Sequence, residues 1–187
     1  MNWVVNAVLG HSRAFPEVHW ILLGDVPERP ALELLLMNDA FCPSRVHFLG
    51  FVSDVRDYLF ASDVFILPSE IEGLCDALLE AMAAGLLCVC TRTPGTEDVV
   101  AHGQNGLIAE LDHVRVSSQL FSALQMTPST RSKIQDAAKA TVFSRFDLKD
   151  SIRRGMDVLE LPMRDREHTT APQGYVYLVA TVASDVT

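Results

Sequence analysis

Val64-Phe-Ile-Leu-Pro68 leads into Glu72-Gly-Leu-Cys-Asp-Ala-Leu-Leu-Glu80, which is left through Ala81-Met-Ala-Ala-Gly85. The first run reads as a buried strand ending at Pro68. A loop then carries one carboxylate at Glu72, and a helix stopped by Gly85 carries a second at Glu80. A strand-to-helix crossing of this kind sets ionised groups at the open edge of a parallel sheet, where α/β proteins bind their ligands. An ionised carboxylate only accepts hydrogen bonds, so the pair suits a ligand rich in hydroxyls.

The same alternation extends in both directions. Residues 3–14 read as a helix ending near Phe15-Pro16, and Val18-His-Trp-Ile-Leu-Leu-Gly24 as a strand closed by Gly24-Asp25. Pro30 to Ala40 is helical with Pro near its start, and Val46 to Phe51 is a strand. Asp54 is placed to cap a short helix, Val55–Ala61, with Val55, Leu59 and Phe60 as its buried stripe. Beyond Gly85 come a strand at Leu87–Thr91, a helix at Gly95–Ala101, a short strand at Gly106–Ala109, and helices over 113–125 and 129–144. Apolar strands alternating with helices predict an α/β fold, with a Rossmann-like parallel sheet covered by helices on both faces. The segments Val18–Leu23, Val46–Leu49, Val64–Leu67 and Leu87–Thr91 are expected to be central and buried. Residues 1–160 are expected to form this one domain, and 161–187 an unassigned tail, whose apolar Tyr175–Ala183 is a strand candidate.

Composition narrows the function. With 187 residues, 49% hydrophobic and 21% charged, the chain has the makings of one ordered globular domain. A net charge of −9, with all three lysines (Lys133, Lys139, Lys149) in the last third, argues against a nucleic-acid partner. Cys42, Cys75, Cys88 and Cys90 lack metal-ligand spacing, and Cys88 and Cys90 alternate onto one face of a strand as packed thiols. The histidines show no metal spacing either; His47 reads as structural, and His11, His19, His102, His113 and His168 as surface or turn residues. No apolar run approaches the ~20 residues of a transmembrane helix, and the N-terminus has no basic signal-peptide region. The expected location is cytoplasmic, or peripheral at the inner face of a membrane. Neither GxGxxG nor GxxxxGK[ST] occurs, which removes the main support for a dinucleotide-dehydrogenase or P-loop reading.

Five segments in register add to this. Leu22-Leu-Gly-Asp25, Val46-His-Phe-Leu-Gly-Phe51, Ala61 to Ser69, Glu72 to Gly85 and Gly103-Gln-Asn-Gly106 together resemble the C-terminal, donor-binding half of the group-one retaining GT-B glycosyltransferases. The likeness runs from about Val18 to Phe146. It implies one half of a GT-B fold that binds a nucleotide-diphosphate sugar, in an enzyme of polysaccharide biosynthesis. It further implies that Glu80 holds the ribose hydroxyls, and that Glu72 contacts the transferred sugar and takes part in catalysis. Backbone amides of Leu74, Cys75 and Asp76 would line the donor, the nucleobase would lie near Phe51 and Val52, and Pro94-Gly95 would approach the phosphates. No metal cofactor is implied.

The chain also departs from the family pattern. Nothing before Val18 supplies the strand and Arg/Lys loop that neutralise the diphosphate in the family, Arg13 being the only basic residue there. The N-terminal Rossmann-like acceptor domain is therefore expected to be missing, or to be supplied by another chain, and the isolated chain to be inactive. Leu87 stands where a proline is common, and Cys75-Asp76 where a glycine or proline is common. Arg92, beside the Thr93-Pro-Gly-Thr96 turn, is the best remaining cation for a phosphate. A non-catalytic nucleotide-sugar binder, or a protein-interaction remnant of such an enzyme, is the alternative reading.

Overall fold

A computed structural model describes residues 10–11, 14–24, 29–37, 44–146 and 177–182. The elements, in chain order, are β1 (Val18–Leu23), α1 (Arg29–Met37), β2 (Val46–Gly50), α2 (Arg56–Phe60), β3 (Val64–Leu67), α3 (Asp76–Ala84), β4 (Leu87–Thr91), α4 (Pro94–Val99), β5 (Leu107–Ala109), α5 (His113–Leu124), α6 (Pro128–Arg145) and β6 (Tyr177–Val182). Apart from residues 10, 11 and 14, the helix expected over 3–14 lies outside the described residues, as do Arg13, Cys42, Lys149, His168 and residues 161–176.

The strands form one six-stranded sheet in the order β2-β1-β6-β3-β4-β5. β1 pairs parallel with β2, and β3 parallel with β4, which pairs parallel with β5. Strand alternation divides the core in two. Leu23, Phe65, Leu67, Cys88, Cys90, Ile108 and Val179 face a layer made by Leu59 of α2, Ala77, Leu78, Ala81 and Met82 of α3, Val99 of α4, and Ala138 and Val142 of α6. Val18, Trp20, Leu22, Val64, Ile66, Leu87, Val89, Leu107, Leu178 and Ala180 face the other way, onto Leu120, Ala123 and Leu124 of α5 and Ile134 of α6. The α/β sheet with both faces covered is thus the observed fold. Cys88 and Cys90 share one face as buried thiols, and burial pushes Cys88 well above the usual thiol range.

Three expectations need correction. First, the sheet is not wholly parallel. Tyr177–Val182, from the stretch beyond residue 160 expected to be an unassigned tail, lies between β1 and β3 and runs antiparallel to both. Its Leu178, Val179 and Ala180 are fully buried, because a strand in mid-sheet is covered on both faces. Second, β2 is an edge strand, not a central one. Its side chains alternate between half-buried and exposed, and Leu49 is 42% exposed. Third, Phe60 is 71% exposed. Val55 and Leu59, four residues apart, share the buried face of α2, and the next residue turns about 100° away from it.

Two of the histidines, His11 and His47, also depart from expectation, whereas His102 is exposed as expected. His11 is buried, with Nε2 2.9 Å from the Ser117 carbonyl, and burial lowers its pKa. His102 accepts the Ile108 amide through Nδ1 at 2.9 Å, and His47 lies exposed, stacked on His19. Asp54 is not the N-cap of α2, a place that Val55 takes without a side-chain cap, but its carboxylate accepts the Arg56 amide at 3.1 Å and pairs with the Arg56 guanidinium, which lowers its pKa to about 2.

Candidate functional site

Leu23 pairs with Gly50, Leu67 with Cys90 and Thr91 with Ala109, so the five parallel strands end along one edge of the sheet. Every candidate residue except Glu80 follows one of those ends directly, and Glu80 comes one turn later on α3. The chain order reverses between β2 and β3, which makes the loop after β3 the one beside the switch point.

That loop is tied to the next one. The Gly95 amide donates to the Glu72 carbonyl at 3.2 Å. A Cβ on Gly95 would overlap the Gly73 carbonyl and stand 2.7 Å from the Glu72 carbonyl oxygen, so only glycine admits this contact. Beneath it, Thr91 Oγ1 donates to the Ser69 carbonyl. Thr93 and Thr96 form a reciprocal cap at the start of α4, in which the Thr96 amide reaches Thr93 Oγ1 at 3.2 Å and the Thr93 amide reaches Thr96 Oγ1 at 2.9 Å. Thr96 Oγ1 also donates to the Thr91 carbonyl at 2.7 Å. All three threonines are buried, and their polar atoms are satisfied locally.

Helix α3 starts at Asp76 because Cys75 turns the backbone out of an extended conformation, and it ends because Gly85 takes the left-handed one at φ 89°. The buried Ala77, Leu78, Ala81 and Met82 fix the helix on the sheet. Asp76 and Glu80, four residues apart, are left on its exposed side. The Cys75 side chain makes no capping hydrogen bond at the first turn. Burial pushes its thiol up to about 11, and the charge of Glu72 adds to the shift, as does that of Asp76. The half-buried Glu72 therefore lies within electrostatic reach of the start of α3. At neutral pH Cys75 is a packed thiol, not a nucleophile.

Phe51 follows β2 and is 74% exposed, whereas Val52 packs partly against the core. Two residues at this edge escaped sequence reading. Ile71, beside Glu72, is 88% exposed and with Leu74, 55% exposed, gives the carboxylate loop an apolar rim. Arg29, at the start of α1, donates to the Phe48 carbonyl at 3.1 Å and holds Glu33 at 2.7 Å, which braces the end of β2 just before Phe51. An arginine next to Pro30 at a helix start was the available signal. Arg92 is bound by Glu110 at 2.8 Å and by Glu97, and both carboxylates raise its pKa. Among the described residues, no group of three or more His, Cys, Asp or Glu side chains could hold a metal ion.

A family model described as "Glycosyl transferases group 1" matches residues 1–125. The chain belongs to the group 1 glycosyltransferase family. Among relatives of this glycosyltransferase chain, the lipopolysaccharide core biosynthesis glycosyltransferase LpsE of Rhizobium meliloti is 31% identical over 131 residues, 70% of this chain and 38% of that protein. The chain thus spans well under half the length of that relative. Anabaena HepE, solved in complex with UDP and glucose, superposes with a TM-score of 0.75 at 23% identity, over 86% of this chain and 44% of that one. The C-terminal domain of a group 1 family protein, LpcC, from Francisella tularensis gives a TM-score of 0.70 at 19% identity, over 78% of each chain. These likenesses show a GT-B glycosyltransferase fold. No helix among the described residues is long and apolar enough to cross a membrane.

Proposed function

We propose that this glycosyltransferase chain binds a nucleotide-diphosphate sugar along the carboxyl edge of its sheet and serves as the donor-binding part of a retaining glycosyl transfer. The supporting observation is the seating of the Glu72 loop. It is fixed by the Gly95 amide and leads directly into α3, at the edge and switch point where open α/β sheets take ligands. The UDP and glucose in the HepE complex are consistent with that ligand class.

In this reading Glu80, on the outward side of α3, accepts the ribose hydroxyls. Such charge-assisted bonds contribute about 1.5–3 kcal/mol each. Glu72 accepts from the sugar and sits where its charge can steady the positive character that develops at the anomeric carbon during transfer. The amides of Leu74, Cys75 and Asp76, at a helix start, offer partial positive charge to the diphosphate. Pro94-Gly95 approaches the phosphates, and Phe51 and Val52 flank the nucleobase. In this reading a metal ion is not required, since the amides at the start of α3 supply positive charge to the leaving diphosphate. With Arg92 already paired to two carboxylates and a net charge of −9, the chain alone binds the donor weakly. Transfer then awaits an acceptor-holding domain that closes the cleft.

Titration calorimetry of the chain with UDP and UDP-glucose, with and without EDTA, tests the binding claim. Radiolabelled-donor assays test the rest. Weak, chelator-insensitive binding without transfer is expected. Robust transfer by the chain alone, or binding that EDTA abolishes, would overturn the corresponding part.

A further inference from the structure

The position of β6 has a meaning beyond the fold. A doubly wound sheet of all-parallel strands takes the order 3-2-1-4-5-6. Set against β2-β1-β6-β3-β4-β5, the parallel strands β2, β1, β3, β4 and β5 occupy the places of strands 3, 2, 4, 5 and 6. The remaining place, that of the first strand, is held by β6, the last element of the chain, inserted in the opposite direction. Leu22 and Ile66 both pair with Leu178, and His19 and Val18 with Thr181 and Val182. The Asp63 amide also donates to the Ala180 carbonyl at 3.0 Å.

We propose that the gap between β1 and β3 is a strand-acceptor groove for an apolar polypeptide segment, and that Tyr177–Val182 of this chain is its tethered, exchangeable occupant. Three observations carry this. Without an occupant, β1 and β3 would face each other across two strand spacings, roughly 10 Å, with buried amides and carbonyls unpaired on both edges. The sheet therefore needs a strand there. What β6 supplies is backbone pairing on both sides and the small, apolar Leu178, Val179 and Ala180, which are buried in both core layers. This is strand addition in the interior of a sheet, with main-chain bonds giving affinity and alternate side chains giving fit. Finally, residues 147–176 separate β6 from α6, so a segment far in sequence from both β1 and β3 fills the place between them.

The reversed direction has a consequence at the site. The register sets Tyr177, where β6 begins, opposite Leu23 at the carboxyl edge of β1. A parallel strand in the same groove would instead end at that edge and lead its following loop to the ligand. The two arrangements exclude each other, so any parallel strand that enters must expel Tyr177–Val182. This inference stands apart from the nucleotide-sugar reading, and its test uses no nucleotide.

The probe is a fluorescein-labelled peptide with the sequence of residues 173–184, followed by anisotropy with full-length chains. The Val179→Asp chain, whose own strand is crippled, should take up the peptide one to one and at least tenfold more tightly than the wild-type chain. The milder Val179→Thr chain should fall between the two. In an Ile66→Cys/Leu178→Cys chain, oxidation should lock the strand in place and abolish uptake, and a reductant should restore it. A scrambled peptide should not bind. Equal uptake by the locked and unlocked chains would overturn the proposal, as would folded Val179→Asp and Val179→Thr chains that take up nothing. If the Val179→Asp chain does not fold alone, recovery of its structure by the peptide supports the groove. Without such recovery, the Val179→Thr chain decides.

Discussion

The two flanks of β6 are built differently. On one side, β3 and β4 are buried at every position, and the loops that follow them are joined through Gly95, Thr91, Thr93 and Thr96. On the other, β2 is a half-exposed edge strand, and its end before Phe51 is held by the half-buried Arg29 and by the Gly24 amide, which donates to the Gly50 carbonyl at 2.7 Å. The difference teaches where each kind of chemistry is placed. In the proposed reading the carboxylates, which would meet particular hydroxyls, stand on the locked flank, because a directional bond loses its worth if its anchor drifts. Phe51, suited to a contact that tolerates adjustment, stands on the looser one.

The sharpest way to break this comparison is at the two glycines that hold the loops. Gly95→Ala drives a methyl into the Glu72–Gly73 backbone and should cost about 3 kcal/mol or more of stability, with donor binding lost. Gly50→Ala, at φ +67° and with its Cβ 3.1 Å from the end of the Arg29 side chain, should cost only about 1–2 kcal/mol, because that side chain can move. Urea unfolding of both chains measures the contrast, and equal losses would mean that the flanks are equally rigid. Next in size, Glu80→Ala should weaken UDP binding about ten- to a hundredfold while leaving the urea midpoint close to wild type. Phe51→Ala should show the smallest effect, a loss of UDP affinity of about threefold to tenfold, with stability within about 0.5 kcal/mol because the ring is exposed.

The buried thiols of the locked flank add a pH signature. Burial holds Cys75 at about 11 and Cys90 at about 12 when folded, against 9.0 for a free thiol. Between pH 9 and 11 the unfolded chain therefore binds fewer protons than the folded one. The stability that the buried thiols contribute, fully present below pH 9, is lost as pH rises through that window. The urea midpoint should fall between pH 9 and 11, and less steeply in a Cys90→Ala chain.

Legibility in the sequence follows the same division. On the locked flank, β3, α3 and β4 were readable because continuous apolar runs, the Gly85 stop and the carboxylate spacing are local signals. The Gly95 contact was half readable: the Thr-Pro-Gly-Thr turn was visible, but its bond to the Glu72 carbonyl joins two loops. Elsewhere the sequence was silent where the answer was non-local. Val46–Leu49 reads as apolar whether it lies at the centre or the edge, and nine apolar residues at Tyr175–Ala183 suggest a strand without naming its neighbours. The pairing of Arg92 with Glu110 crosses from β4 to the end of β5, which no residue spacing reveals.

The central claim, that Glu72 serves the sugar and Glu80 the nucleoside, is met most directly by calorimetry of one ratio, the affinity for UDP-glucose over that for UDP, in the Glu72→Ala chain. Loss of the sugar's contribution, with UDP binding within about twofold of the wild-type chain, is the result expected here. Equal losses for UDP and UDP-glucose would contradict it, and would reduce Glu72 to a general support of the loop.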